Sequence, residues 1–267
     1  MDLWPWLERY WKNLSKTHLF VTDAHAHFEH NNKRAEYLGR LIADVKPDVV
    51  IVGGDTFDMP SLSSYDKGRK SYQGRTYSAD ISVGVDFHDR LVSTVRKTKK
   101  KLPKFVFLEG NHEHRVKRAI DLQPELEGTI SFKDFELERY FDEVVEYAGG
   151  TPGIKNIDGV NYAHFFISGV MGRPISGEHP AYSLLSKQYS SCSAGHIHTA
   201  DYAIRTDAND KKIHGLLAGC FFDYRADWAG EANRLYWRGA VLKRNVDKGM
   251  YDPQFISLEA MKKEYGK

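Results

Sequence analysis

The segment DAHAHFEH, residues 23–30, sets one carboxylate beside two imidazoles before its closing Glu-His pair. Further oxygen and nitrogen donors follow in GGDTFD at 53–58, GNHEH at 110–114, a lone His164, and GHIH at 195–198. Carboxylate, imidazole and carboxamide oxygen are the donors that divalent ions of intermediate softness accept, with Mn, Fe, Zn and Ni as candidates. Two such ions about 3.5–4 Å apart can hold a bridging hydroxide, neutralise phosphoryl oxygens and stabilise both ends of an in-line displacement. Metal-assisted hydrolysis is therefore the chemistry these residue types point to. His27 and His30 are open to either reading, substrate contacts or surface residues, and His114 and Arg115 either face a phosphate or lie in solvent.

Each donor cluster needs an element that ends where it begins. HLFV (18–21), DVVIVGGD (48–55), KFVFLEGN (104–111), VNYAHFF (160–166) and SCSAGHIH (191–198) read as buried strands bounded by turn residues. Leu38, Leu41, Ile42 and Val45 repeat at helical spacing, and Pro47 stops that helix before the second strand. Strands alternating with helices predict βαβ units and a sheet covered by helices. Every donor then falls at a strand end, the edge of an α/β sheet where ligands bind. His196 and His198 are expected to face one side because an extended backbone repeats its direction every second residue. After residue 200, turn residues at 207–210 and 247–249 predict two hairpins and a mainly antiparallel carboxy-terminal sheet.

Two stretches interrupt the rhythm. Residues 59–79 lack a clear period and read as a long loop, which in a compact domain is functional or mobile. Residues 121–150 contain an acidic amphipathic pattern near 134–147, read as a surface helix packing Phe135, Tyr140, Phe141 and Val144. At the amino terminus, Trp4, Trp6, Leu7, Tyr10, Trp11 and Leu14 form an aromatic stripe if residues 3–15 are helical. That stripe would pack on the domain's own surface or mediate self-association. The expected organisation is a helical extension over 1–17 and one domain over 18–267, with insertions near 59–79 and 121–150.

Bulk properties exclude little but agree with this reading. The 267 residues can bury a substantial core, and 38 basic against 36 acidic residues leave a net charge of +2 that demands neither nucleic acid nor membrane. Cys192 and Cys220 form no CxxC pair, which argues for a reducing compartment and against structural zinc. No apolar run approaches the ~18 residues of a spanning helix. A cytoplasmic, membrane-free protein is expected.

The ordered set D-x-H, GD-x-x-D, GNH-E, a later strand-end histidine and GH-x-H resembles the calcineurin-like metallophosphoesterase superfamily over roughly residues 18–200. D-x-H-x-H alone also opens the amidohydrolase barrels, but those offer nothing that would require GNH and GHxH. The resemblance implies a four-layer αββα sandwich with mixed sheets and antiparallel carboxy-terminal hairpins. It implies two divalent ions, Mn2+ foremost, with Asp23, His25 and His198 on one ion, Asn111, His164 and His196 on the other, and Asp55 bridging. It further implies that His112 protonates the leaving oxygen or binds the phosphoryl group, with Asp58 holding its imidazole. His179 competes with His164 for the same metal, although His179 starts a helical segment.

One departure bears on the substrate. Ser/Thr phosphatases and dinucleoside polyphosphate hydrolases of the superfamily read GD-x-x-D-R-G, whereas Met59 and Pro60 occupy those places here. The chain is therefore more similar to the phosphodiesterase and nuclease branches, and through GNHEHR and GRPISGEHPA to phage-encoded phosphoesterases. A nucleic acid or nucleotide is the expected substrate. Tyr65, Tyr72 and Tyr77 interleaved with Lys67, Arg69, Lys70 and Arg75 suit base stacking and phosphate tracking, with Arg69, Arg115 and His27 as candidate contacts. The lysines at 97 and 99–101 add positive charge. The alternatives are a phosphomonoesterase on a small metabolite or phosphoprotein, and a non-catalytic scaffold of the same fold.

Overall fold

The apolar runs at 18–21, 49–52 and 104–108 become parallel neighbours at the centre of one sheet. The computed structural model describes residues 16–98 and 101–266. The amino-terminal aromatic stripe, Lys99 and Lys100 lie outside the described residues. The strands are β1 (Lys16–Val21), β2 (Val49–Val52), β3 (Lys104–Leu108), β4 (Glu143–Val145), β5 (Lys155–Ile157), β6 (Val160–Tyr162), β7 (Ile167–Ser168) and β8 (Arg173–Pro174). They continue with β9 (Cys192–Ala194), β10 (Ala200–Thr206), β11 (Lys212–Ala218), β12 (Gly239–Asp247) and β13 (Met250–Ser257). The α-helices are α1 (Lys33–Val45), α2 (Tyr77–Arg96), α3 (Arg115–Leu122), α4 (Pro180–Gln188) and α5 (Leu258–Tyr265). One sheet runs β13-β12-β1-β2-β3-β4, a second β10-β11-β9-β6-β5, and β7 and β8 form a separate two-stranded ribbon.

Alternation along the central strands builds the layers. Leu19, Val21, Val50, Val52 and Phe107 face Leu38, Leu41, Phe87 and Leu91 of α1 and α2. The intervening Phe20, Ile51, Val106 and Leu108 face Val160, Tyr162, Leu216 and Ala218 of the second sheet. The outer face of that sheet carries Ala181 and Leu184 of α4. The arrangement is the expected αββα sandwich. Between the sheets lies a fully buried Lys243, hydrogen-bonded to Tyr162 and Ser193 and 4.3 Å above the rings of Tyr162 and Tyr251. Burial pushes its ammonium pKa well down.

Several expectations are corrected. Residues 134–147 form no α-helix: Ser131 and Asp134 make a capping box for a single 3-10 turn, and Glu136, at φ 51°, ends it. A second 3-10 turn follows, and β4 then pairs parallel to β3, because Val144 and Val145 suit a sheet edge. The expected packing residues Phe135, Tyr140 and Phe141 are nevertheless buried. Both carboxy-terminal hairpins form, but not as one sheet: β12 joins β1 antiparallel, while β11 joins β9 parallel. β1 already begins at Lys16, so the expected boundary after residue 17 cuts a strand. The long loop ends at Thr76, which caps α2 and accepts from the Ala79 N–H.

Where α2 crosses the sheet, His88 is fully buried among Phe57, Phe107, Tyr140 and Phe141, and neither ring nitrogen has a hydrogen-bond partner. Burial lowers its pKa from 6.5 to about 3. An unfolded chain takes up this proton below pH 6.5 and the folded one does not until about pH 3, so stability declines as pH falls through that window. We expect wild type to lose about 2 kcal/mol more than His88→Leu between pH 7 and pH 5, read from urea midpoints at the two values.

Candidate metal centre

The strand ends of both sheets meet where β1, β2, β3 and β9 give way to loops. The loop after β1 carries Asp23 and His25, both in left-handed backbone at φ 54° and 40°. Residues in this region cost free energy unless the surroundings fix them, and here they are fixed. The Asp23 N–H donates to the Gly54 carbonyl at 3.0 Å, and the His25 N–H to the Asp55 carbonyl at 2.9 Å. The fully buried Arg34 of α1 donates to the Ala24 carbonyl between them at 2.8 Å. Asp55 itself sits at φ 50°.

Glu113, which sequence reasoning left without a role, holds that second loop. Its buried carboxylate accepts from the backbone N–H groups of Asp55, Thr56, Phe57 and Gly110 at 2.9, 2.7, 3.0 and 3.0 Å. Burial, and then the nearby Asp55 charge, raise its pKa to about 7. Its signal was present in GNHE, but a buried anchor and a surface glutamate look alike in sequence. Gly110 is required by contact: a Cβ there would lie 2.2 Å from Asp55 Oδ1.

Seven polar side chains converge on this edge. Asp23 Oδ1 lies 3.2 Å from His198 Nε2 and 3.9 Å from His25 Nε2, and the two imidazole nitrogens are 3.2 Å apart. Asp55 Oδ2 lies 4.0 Å from His25 Nε2 on one side and 3.3 Å from His164 Nε2 on the other. His164 Nε2 in turn is 2.9 Å from Asn111 Oδ1 and 3.2 Å from His196 Nδ1. Two donor groups, Asp23/His25/His198 and Asp55/His164/His196, thus adjoin, with Asp55 Oδ2 between them. His179 is exposed at the start of α4, away from this cluster.

His196 and His198 reach it differently from expectation. They do not face one side of an extended strand: both occupy left-handed backbone, at φ 71° and 63°, after β9 has ended. The turn sends His196 to one group and His198 to the other. Gly195 permits it, since a Cβ there would lie 2.3 Å from Asp23 Oδ2.

The donor chemistry fits a pair of cations. Asp23 Oδ2 accepts from the Thr22 hydroxyl at 2.6 Å and the His196 N–H at 2.9 Å, while the buried Oδ1 has no hydrogen-bond donor. His25 Nδ1 donates to Asp58 Oδ1 at 2.7 Å and His164 Nδ1 to the Gly53 carbonyl at 2.8 Å, tautomers assigned from those contacts. With Nδ1 so engaged, each Nε2 is the atom that would turn a lone pair to a cation, among neighbours that are themselves acceptors. Burial opposes charging of these groups, yet Asp55 raises His164 to about 10, and the imidazoles of His112 and His164 hold Asp55 well below the usual carboxylate range. His196 falls to about 4 through burial and the neighbouring His164 charge.

His112 stands beside the cage. Its backbone N–H donates to Asp55 Oδ1 at 2.9 Å, its Nδ1 donates to the Asp58 carbonyl at 2.6 Å, and its Nε2 lies 3.7 Å from Asp55 Oδ2. The Asp58 carboxylate is thus shared: it holds His25 at 2.7 Å and lies 3.2 Å from His112 Nδ1, so the main chain of Asp58, more than its side chain, orients His112. Arg115 reaches the same place, donating to the Asp58 and Met59 carbonyls at 2.9 and 3.1 Å with Nη2 3.1 Å from His112 Nε2. Burial and this guanidinium both lower the His112 pKa. His27 stays at the rim, stacked on Phe28, and His30 stacks on Tyr224. Arg69 is exposed on the long loop, and its side chain makes no hydrogen bond or ion pair among the described residues.

A family model described as calcineurin-like phosphoesterase matches residues 17–215. Among solved structures, Yfce, a phosphoesterase from E. coli, aligns at 10% identity and TM-score 0.36 over 91% of this chain and 99% of its own. A mutant cold-active protein tyrosine phosphatase aligns at 12% identity and TM-score 0.39 over 90% of this chain and 80% of its own. No curated protein sequence matches significantly. No helix among the described residues is long and apolar enough to cross a membrane.

Two substitutions test the cage. Asp55→Asn should lower bound metal from two equivalents to one or fewer by elemental analysis while leaving the circular dichroism spectrum unchanged. Glu113→Ala strands four backbone N–H groups. It should cost about 3–5 kcal/mol in urea unfolding and weaken metal binding about 10–100-fold by chelator competition.

Proposed function

Because this chain belongs to the calcineurin-like phosphoesterase family, we propose that it is a two-metal phosphodiesterase acting on nucleic acid or nucleotides. The family implies divalent ions, and we assign one to Asp23, His25 and His198, the other to Asn111, His164 and His196, with Asp55 shared. Manganese is the proposed occupant, since mixed carboxylate, imidazole and carboxamide donors suit it. When bound, the ions supply neutralisation of phosphoryl oxygens and a more acidic water.

The observation that carries the diester reading is the sparseness of free cations. Met59 stands where an arginine would grip a monoester dianion, and it is fully buried. Arg34 is also fully buried and bonds the Asn31 and Ala24 carbonyls. Among the described residues, Arg115 is the guanidinium that hydrogen-bonds His112, and it is already half engaged with two carbonyls. One such cation suits the single charge of a diester. His112 would donate to the leaving oxygen from Nε2 as an imidazolium, protonated at both ring nitrogens, with its Nδ1–H held on the Asp58 carbonyl. Arg115 would bind a phosphoryl oxygen, and Asp58 would keep His25 oriented.

Support for a nucleic acid is narrower than composition suggested. Tyr72 donates to the Ser61 carbonyl and Tyr77 to Asp134 Oδ2, while Arg75 pairs with Asp66 at 2.7 Å. Tyr65 remains 80% exposed, with Lys67, Arg69 and Lys70 exposed nearby.

The manganese-loaded protein should hydrolyse bis-p-nitrophenyl phosphate with higher kcat/KM than p-nitrophenyl phosphate; the reverse order would make it a monoesterase, and inactivity towards both a scaffold. His112→Asn should keep two metal equivalents and lower turnover about 10²–10⁴-fold. Full activity in that variant would remove His112 from the chemistry.

A further inference from the structure

The segment between β11 and β12, residues 219–238, lies beyond the stretch matched by the family model. It is tied to the main chain of all three residues assigned to the first ion. The Phe221 N–H donates to the Asp23 carbonyl at 2.9 Å, the Tyr224 hydroxyl to the His25 carbonyl at 2.9 Å, and the Trp237 N–H to the His198 carbonyl at 3.1 Å. The segment carries Trp228 to the rim. Its ring lies 5.8 Å from that of His198 and 6.5 Å from that of His25, next to Tyr236, yet it remains 63% exposed.

What distinguishes this exposed ring from others on the surface is its place at the rim beside His198 and His25. The loop around it is held rather than loose. The buried Asn233 side chain accepts from the Ala226 N–H at 2.9 Å and donates to the Ala226 and Gly230 carbonyls at 2.8 and 2.9 Å, closing the 3-10 turns on which Trp228 sits. A fixed aromatic face beside a phosphate-binding cage is what stacks a nucleobase, whose π-face needs no matching hydrogen-bond pattern.

We infer that Trp228, backed by Tyr236, is a stacking platform for a planar ring on the ester substituent that stays with the phosphate. The side follows from position. His112, the group assigned to the leaving oxygen, packs against Arg115 and the Asp58 carbonyl, whereas Trp228 packs toward His198 and Tyr236. His25 lies between them, its ring 4.6 Å from that of His112 and 6.5 Å from that of Trp228, and on this basis we place the stacked ring on the substituent opposite the leaving group. This rests on the diesterase reading of the site and deepens it: the retained group carries a base.

The test uses the full-length, manganese-loaded protein and two esters with the same leaving group, the p-nitrophenyl ester of thymidylate and methyl p-nitrophenyl phosphate. Wild type should prefer the thymidylate ester in kcat/KM, mainly through KM. In Trp228→Ala the ratio of the two kcat/KM values should fall about tenfold, the scale of a lost stacking contact, and Trp228→Phe should recover most of it. A merely structural tryptophan would depress both esters by one factor and leave the ratio unmoved, and that result overturns the inference. A binding arm decides the matter without turnover. By isothermal titration, Trp228→Ala should weaken thymidylate about tenfold relative to ribose phosphate; equal weakening of both overturns the platform. Hydrolysis of p-nitrophenyl phosphate but of neither diester would overturn the diesterase reading alone, and the titration would still judge Trp228.

Discussion

A cluster of electron-pair donors closes on itself only when something positive sits where they meet. Asp23 Oδ1, Asp55 Oδ2, Asn111 Oδ1 and the lone pairs of His25, His164 and His198 approach one another within 2.9–4.0 Å. Without ions, protons must fill that place, which is why burial fails to keep His164 neutral and Asp55 raises it to about 10. Protons and divalent cations thus compete for one location, and the cage is a metal site to the extent that ions displace protons from it. The rest of the molecule keeps these groups from moving apart.

Keeping them there has a conformational cost. Asp23, His25, Asp55, His196 and His198 all adopt left-handed backbone, at about 1–3 kcal/mol each for ordinary residues and less for aspartate. The sum is comparable to the whole stability of a typical domain. That explains why the surrounding bonds are buried and redundant: Glu113 on four amides, Arg34 on the Ala24 carbonyl, Thr22 on Asp23. It also explains the glycines at 110 and 195, where the chain passes too close to a carboxylate for any side chain. The geometry that binds metal is the same geometry that local preferences oppose.

Much of this was legible because strand alternation and motif order are local properties. The runs around Val50 and Val106 announce buried parallel strands, and the donors follow at their ends as expected. What was not legible depends on partners distant in sequence. The stretch from Asp134 to Tyr147 has helical periodicity in its apolar residues, yet Val144 and Val145 find an open strand edge on β3, and pairing there overrides the local pattern. The direction of His196 and His198 depends on a left-handed turn that Asp23 crowds from the other end of the chain. Glu113 could not be told from a surface residue before the second loop folded over it. The basic, tyrosine-rich loop misled in the other direction, since two of its tyrosines and one arginine spend their polar groups on the protein itself.

The cage and its rim then differ in how the chain builds them. The ligands come from the ordered motifs that the family model spans, but the carbonyls of Asp23, His25 and His198 are held by Phe221, Trp237 and the Tyr224 hydroxyl, all beyond it. Each of these bonds is made to a residue proposed as a ligand of the first ion. A shift of the 219–238 segment would therefore move the main chain of all three residues. In such an arrangement the carboxy-terminal hairpins do more than close the sandwich, for they anchor at both ends the segment that holds the main chain of Asp23, His25 and His198.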